Sequence, residues 1–289
     1  MWSVIEGDCL ESLRSLDSGS IACCVTSPPY WMQRDYGHPG QLGMEPTPQE
    51  FVAALRLVFG EVWRVLSPTG SLWLNLGDTY HGGGSTTATG NDNRLYADKR
   101  TIQGSYTEGM SNRPVKPRNY AGYREKDLVG IPWRVAFALQ DDGWYLRRDI
   151  IWHKPNPMPS AATDRATTAH EYVFHMTKSP KYLYNQDAVR ERAADGYRNR
   201  RSVWTIPTHS STDGHPAPMP PALAEVCILA GSNSSDTVLD PFCGSGTTGV
   251  VAVGLGRRFI GCELNHDDAA LSRQRIAAAV PTQQRLFAP

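Results

Sequence analysis

Apolar positions along this chain switch between a period of two and a period near 3.6, and the switches lay out strands and helices in turn. Val4-Ile5-Glu6-Gly7-Asp8 reads as a strand, residues 10–16 as a helix, and residues 20–26 as an apolar strand. Over residues 47–66, Phe51, Leu55, Val58, Val62 and Val65 form one face of an amphipathic helix, closed by Ser67-Pro68-Thr69-Gly70 before a strand at 71–76. The pattern then collapses over 79–127 into Gly, Ser, Thr, Asn and Arg, including His81-Gly82-Gly83-Gly84. A stretch this long without periodicity is either functional or without fixed structure. Order resumes with a helix at 131–139 and a strand at 144–152. It closes with a strand at 237–239, a helix at 247–255, a strand at 257–264 and a helix at 267–280. No internal repeat is visible.

This succession predicts an α/β fold, but the C-terminal strands are too few for a doubly wound sheet, because only one helix follows residue 264. The N-terminal strands must complete the sheet. Between strand 237–239 and helix 247–255 lies Asp240-Pro241-Phe242-Cys243-Gly244-Ser245-Gly246-Thr247-Thr248-Gly249, whose glycines at 244, 246 and 249 match a nucleotide-type turn, with Glu263 further on. A purely structural glycine turn is the alternative. A dinucleotide would seat its pyrophosphate at the helix N-terminus, and Asp240 at the strand end would repel it. The carboxylate suits an ammonium or sulfonium instead, which disfavours a dehydrogenase. With Thr247, Thr248 and the helix amides for a carboxylate and Glu263 for a ribose diol, the ligand that fits is S-adenosylmethionine.

Thr26-Ser27-Pro28-Pro29-Tyr30-Trp31 follows the strand at 20–26. Consecutive prolines stiffen the turn. The Ser27 hydroxyl and a proline carbonyl become fixed acceptors beside the face of Tyr30, a set suited to a planar ring bearing an exocyclic amine. Stacking contributes roughly 1–3 kcal/mol. The acceptors draw the amine lone pair out of conjugation, and against a sulfonium no titrating base is needed. A proline turn with a packed tyrosine is the plainer reading.

Together these residues resemble the amino-methylating DNA methyltransferases, in the permuted group whose (D/N/S)PPY loop precedes the cofactor turn. The resemblance runs through Gly7-Asp8-Cys9, residues 26–31, residues 71–78, and Asp149-Ile150-Ile151-Trp152-His153-Lys154-Pro155-Asn156. It continues through His215-Pro216-Ala217-Pro218-Met219-Pro220 to the cofactor turn and Gly261-Cys262-Glu263. It implies a circularly permuted Rossmann-like fold: a mostly parallel seven-stranded sheet, helices on both faces, and insertion and target-recognition segments. Residues 1–78, 128–155 and 207–289 would form the core, 79–127 an insertion acting as a DNA clamp, and 156–206 the recognition segment. Asp8 and Cys9 would meet the cofactor adenine. Asp240, Phe242, Gly244, Ser245, Gly246, Thr247 and Thr248 would surround its methionine part, and Glu263 its ribose. Ser27, Pro28, Pro29, Tyr30 and Trp31 would form the catalytic pocket. A serine at the first loop position is more typical of cytosine N4 enzymes and an aspartate of adenine N6 enzymes, so cytosine N4 is expected, with adenine N6 the alternative. A non-catalytic nucleic-acid-binding module is the alternative of another class. The implied partner is double-stranded DNA; a homodimer and a restriction endonuclease partner stay open. The implied setting is the cytoplasm of a bacterial or bacteriophage-infected cell.

Charge narrows where DNA could touch. Lys plus Arg and Asp plus Glu number 29 each, so contacts must come from local clusters. One lies in the insertion with Arg113, Lys116 and Arg118, also including Arg94, Lys99, Arg100, Arg124 and Lys126. The other holds Arg198, Arg200 and Arg201, with Arg190, Arg192, Tyr197 and Trp204 nearby. Ordinary solvated charge is the competing reading for any single one. Trp152 and Lys154 are expected near the flipped base, although Trp152 also suits a packed strand position. Six cysteines without a CxxC pair, among them Cys23, Cys24 and Cys262 in strands, read as reduced core residues. His170-Glu171 with His175 is spaced HExxxH, which on a helix turns the second imidazole about 140° away, so no metal is expected. No apolar run suggests a membrane span.

Overall fold

A computed structural model describes residues 1–81, 122–208 and 219–280. In chain order the elements are β1 (Trp2–Glu6), α1 (Cys9–Arg14), β2 (Ile21–Thr26), α2 (Pro48–Val65), β3 (Leu66–Leu76), α3 (Ile131–Asp141), β4 (Tyr145–His153) and β5 (His170–Thr177). There follow β6 (Glu191–Ala193), β7 (Gly196–Arg198), β8 (Val203–Thr205), α4 (Pro221–Gly231), β9 (Thr237–Asp240), α5 (Thr247–Gly254), β10 (Arg258–Glu263) and α6 (His266–Ala279). The longest helix, α2, shows why its sequence folds so. Thr47 accepts from the Glu50 amide at 3.2 Å and Glu50 accepts from the Thr47 amide at 3.0 Å, closing a capping box. Pro48 fits the first turn, and the five apolar residues of the predicted face are all buried.

One sheet has the strand order β1-β10-β9-β2-β3-β5-β4-β8. The strands β1, β10, β9, β2 and β3 are parallel; β5 runs antiparallel to β3, and β4 antiparallel to β5. The C-terminal strands β9 and β10 slot between β1 and β2, the permutation expected from the sequence. The sheet has eight strands rather than seven. The extra edge strand β8 pairs Val203 to Thr205 with Ile151 to His153 and is too short to leave a periodic signal. The predicted break at Ser67 to Gly70 is instead a bulge within β3, where pairing jumps from Ile21 opposite Leu66 to Cys23 opposite Ser71.

Alternating side chains build a core on each face. Cys24, Leu72 and Leu74 pack with α1, α2 and α3, while Cys23, Val25 and Trp73 pack with α4, α5 and α6. From β9 the chain winds outward to β10 across one face, and from β2 outward to β3 across the other. The carboxyl ends of β9 and β2 are thus the switch point, where an open α/β sheet leaves a crevice.

Candidate active site

Asp240 ends β9 and Thr26 ends β2, and the two meet across the switch point. The Thr26 hydroxyl donates to Asp240 Oδ1 at 2.6 Å, bridging 214 residues of sequence. The Phe242 amide donates to the same oxygen at 3.1 Å, and the Thr248 hydroxyl also bonds the carboxylate. Asp240 is only 3% exposed, and burial pushes its carboxyl up to about 6 against these stabilising hydrogen bonds. The turn then passes through Gly244 and Gly246 at φ of 51° and 82°, and α5 begins without a side-chain cap. Its first amides are free to meet an anion.

Two lobes of one cleft lie over these strand ends, sharing Ser27, Tyr36, Phe242 and Gly244. The first is lined by Asp240, Ser245, Thr247 and Thr248 and by Pro28 and Tyr30. Ser245 is itself fixed, its hydroxyl and carbonyl both accepting from Arg275 at 2.7 and 2.6 Å. The second lobe is lined by Asp8, Cys9, Pro29 and Glu263. Glu263 accepts from the amides of Gly244 at 2.7 Å and Asn265 at 2.8 Å, and burial raises its carboxyl from the usual range. Asp8 caps α1 through the Glu11 amide at 3.0 Å. Burial pushes the Cys9 thiol up to about 12, so it is a wall and not a nucleophile.

Two expected site residues fall outside the cleft. Trp31 is 2% exposed in the core, its indole N–H donating to the Glu45 carbonyl at 3.0 Å. The Pro28-Pro29 turn sends successive side chains in different directions, and the large apolar one goes inward. Gly246 lines neither lobe; a Cβ there would stand 2.8 Å from Cβ of Ser272, so this glycine lets the turn pack on α6.

Tyr30 is the hub of a network that sequence reasoning missed. Its hydroxyl donates to Glu171 Oε2 at 2.6 Å and accepts from Asn75 Nδ2 at 2.8 Å and from the Ser27 hydroxyl at 3.3 Å. Asn75 Nδ2 also reaches Glu171 Oε2 at 2.8 Å, and Lys154 pairs with the other oxygen, Oε1. The Lys154 ammonium sits 4.5 Å from the Trp152 ring centroid. Trp152 is 5% exposed and ties its indole N–H to the Ile206 carbonyl at 2.8 Å, so it is both a packed strand residue and part of the first lobe's wall. The ring of Tyr30 lies so close to Gly77 that a Cβ there would stand 2.5 Å from Tyr30 Cε2. The available signal for Glu171 was a carboxylate heading the apolar run Tyr172-Val173-Phe174, weighed in the sequence only as part of an HExxxH spacing. Those histidines lie on a strand, not a helix, with His170 exposed and His175 buried against Trp73, ring centroids 4.1 Å apart. Burial pushes the His175 imidazole down to about 3.

The segment after the Ser27 to Tyr30 turn was also missed. Tyr36 and His38 offer their amides to Gln41 Oε1 at 2.9 and 3.3 Å, folding a strap in which Arg34 and Tyr36 reach the first lobe and Tyr36, Gln41 and Leu42 the second. Its signal was Gly37, Gly40 and Gly43, all at positive φ.

Of the candidate DNA-binding residues, Arg113, Lys116 and Arg118 lie outside the described residues, as do Arg94, Lys99, Arg100 and residues 215–218. Arg198 and Arg201 are exposed on and beside the β6–β7 hairpin, each paired with Glu191 Oε1, at 2.8 and 2.6 Å. Arg200 differs from the expectation. Its guanidinium lies 5.3 Å from the Trp204 ring centroid and its Nε is buried without a hydrogen-bond partner, so it packs on Trp204 where Arg198 and Arg201 are exposed.

Comparison with known proteins agrees with this architecture. TTHA0409 of Thermus thermophilus, solved in complex with S-adenosyl-L-methionine, superposes with a TM-score of 0.68 at 27% identity, covering 98% of this chain and 96% of that one. The cytosine-N4-specific PvuII DNA methyltransferase shares the fold at a TM-score of 0.67 and 24% identity, over 94% of this chain and 85% of that one. The Type II methyltransferase M.SmaI of Serratia marcescens is 46% identical over 276 residues, spanning 94% of this chain and 90% of that protein. M.Cfr9I of Citrobacter freundii is 47% identical over 288 residues, spanning 96% and 91%. The match to the N6/N4 DNA methylase family runs over residues 21–274, from the strand that leads into the Ser27 to Tyr30 turn to the last described helix, and this chain belongs to that family.

Proposed function

We propose that the protein is a site-specific, S-adenosyl-L-methionine-dependent DNA methyltransferase that modifies the exocyclic N4 amine of a cytosine flipped out of duplex DNA. One observation carries the reading: the rigid Ser27 to Tyr30 turn and the acid-ended glycine turn open onto one cleft at the switch point, joined by the Thr26–Asp240 hydrogen bond. The chemistry of the donors fits the cofactor. Asp240 offers a carboxylate to a cation, the uncapped start of α5 offers amides to a carboxylate, and Glu263 keeps lone pairs beyond its two backbone donors for a ribose diol. Asp8, Cys9 and Leu42 wall the second lobe for a purine. Bound there, the cofactor supplies an electrophilic methyl group on a sulfonium. Ser27 and a carbonyl of the Pro28-Pro29 pair accept the amine hydrogens, while the Tyr30 ring and the Trp152–Lys154 wall orient the base.

The serine at position 27 supports cytosine N4, because it stands where adenine N6 enzymes more often carry aspartate. The Type II names of M.SmaI and M.Cfr9I support reading the chain as the protective partner of a restriction endonuclease, acting in the cytoplasm. Among the described residues no helix is long and apolar enough to cross a membrane. Incubation with duplex DNA and S-adenosyl-L-methionine, followed by digestion and nucleoside mass spectrometry, should yield N4-methyldeoxycytidine. N6-methyldeoxyadenosine alone would overturn the base assignment, and unmodified DNA the activity.

A further inference from the structure

We propose that Ser27, Tyr30 and Glu171 form a one-way proton path out of the active site, with Glu171 as the residue that receives, through Tyr30, the proton shed by the target amine. The inference rests on the reading that this cleft methylates an exocyclic amine. The orientation of the hydrogen bonds carries it. The Tyr30 oxygen accepts from two donors, the Ser27 hydroxyl at 3.3 Å and Asn75 Nδ2 at 2.8 Å, so its single proton points the remaining way, to Glu171 Oε2 at 2.6 Å. Asn75 enforces this polarity by donating from the same nitrogen to Glu171 as well, at 2.8 Å. The Ser27 proton is committed towards Tyr30, which leaves the Ser27 oxygen as a pure acceptor facing the cavity.

The step balances without any further reactant. Methyl transfer leaves the amine nitrogen with four bonds and a positive charge. As the methyl arrives, an N–H bond breaks, its electron pair returns to nitrogen, and the proton passes to Ser27 Oγ. The Ser27 proton moves to Tyr30 Oη, and the Tyr30 proton to Glu171 Oε2. Serine and tyrosine end as they began, and the carboxylate has become a carboxylic acid paired with Lys154. Tyr30 relays without ionising, since burial and the neighbouring Glu171 hold its phenol well above the usual range. The titratable and charged groups around Glu171 are Tyr30 and Lys154 in contact, Arg34, Tyr36 and Asp240 across the cavity, and His153 and His170 at the adjoining strand ends. Asp240, pushed up to about 6, would intrude on a test in acid, so the test belongs at pH 7 to 9.

Single-turnover methyl transfer to duplex DNA should be measured over that range for the wild type, Glu171→Gln, Tyr30→Phe and the double variant. Glutamine keeps the shape and a hydrogen bond but cannot take the proton; phenylalanine keeps the ring but cuts the path. Each single variant is expected to bind S-adenosyl-L-methionine within twofold of wild type, which reports the fold. Each should transfer methyl at least tenfold more slowly at pH 7, with the deficit shrinking towards pH 9 as solvent hydroxide takes over. The double variant should be no slower than the slower single, because both break one chain. A Glu171→Gln rate equal to wild type, a deficit constant with pH, or two deficits that multiply would overturn the path and leave Glu171 a packing residue. The wild-type product in the same samples separates the two claims, since N6-methyldeoxyadenosine would overturn the cytosine assignment while the pH signature still decides the path.

Discussion

Asp240→Asn should make the unliganded protein more stable and a worse binder of its cofactor. An unperturbed aspartate titrates at 3.8, and burial pushes Asp240 up to about 6, a difference of roughly two units. At about 1.4 kcal/mol per unit, holding the ionised carboxylate in the fold costs about 3 kcal/mol. The direction with pH follows. Between pH 4 and 6 the folded state holds more protons than the unfolded one, so this group's contribution to stability falls as pH rises and is fully unfavourable above about 6. Asparagine removes the charge and keeps an oxygen to accept from Thr26 and the Phe242 amide. The gain at pH 7.5 is therefore about 1–3 kcal/mol, the lower end allowing for a poorer partner to Thr248. At about 2–4 °C per kcal/mol for a chain of this size class, differential scanning fluorimetry should show a rise of several degrees. At pH 5 the wild-type carboxyl is mostly protonated and the gap should narrow. Glu263 and Asp268 are also raised by burial, but they are common to both proteins and cancel. Calorimetry at pH 7.5 should show S-adenosyl-L-methionine affinity lower by about one to two decades, from the loss of a charge-assisted partner worth about 1.5–3 kcal/mol. Wild-type affinity should itself fall below pH 6, and that of the variant should not. An Asp240→Asn protein less stable than wild type at pH 7.5, or a gap that does not narrow in acid, would refute the claim that the site keeps a costly charge for its ligand.

Gly77→Ala should slow methyl transfer at least tenfold with cofactor affinity unchanged, because the new Cβ would stand 2.5 Å from the Tyr30 ring and displace it; parallel calorimetry and methylation assays check this. Trp31→Ala should cost about 3–5 kcal/mol in urea unfolding, as a large core side chain does, and leave the rate per folded molecule near wild type. Replacing Arg198 and Arg201 by alanine should shift which sites are methylated, with about 1–3 kcal/mol at stake for each base contact, whereas Arg200→Ala should lower stability and leave site preference alone. Mapping methylated sites by sequencing separates them.

What could be read from the sequence was whatever the chain makes locally. The helix α2 announced itself by five buried residues on one face, and the glycine turn by a strand, an acid and a helix start within ten positions. Trp31 was misplaced because adjacency in a motif says nothing about which way a side chain leaves a proline turn. The strand β5 was missed because it is covered on both faces. Five successive residues, Val173 to Thr177, are buried, so no alternation survives to mark a period of two. The permuted order, by contrast, was legible from simple insufficiency, since two C-terminal strands could not make a sheet.

The same insufficiency explains why the site's electrostatics escaped the sequence. Asp240 is raised by burial against Thr26 and the β2 strand end, which lie 214 residues away, and no local window contains that environment. Glu171, likewise, acquires meaning only when β5 pairs with β3 and β4, bringing it between Asn75 and Lys154. Asp240 stands at the carboxyl end of β9 and Glu171 near the start of β5, and each carboxylate is reached by a side chain from a neighbouring strand, Thr26 of β2 for Asp240 and Asn75 of β3 for Glu171. That shared arrangement gives them opposite chemistry. Asp240 has only hydroxyls and an amide beside it and carries a charge that a cationic ligand would relieve. Glu171 has an ammonium beside it and accepts from a phenol, so its charge is already partnered within the protein. The cleft therefore sets a carboxylate held by hydroxyls and an amide against one paired with an ammonium, taken from β9 and β5 with two strands of the same sheet between them.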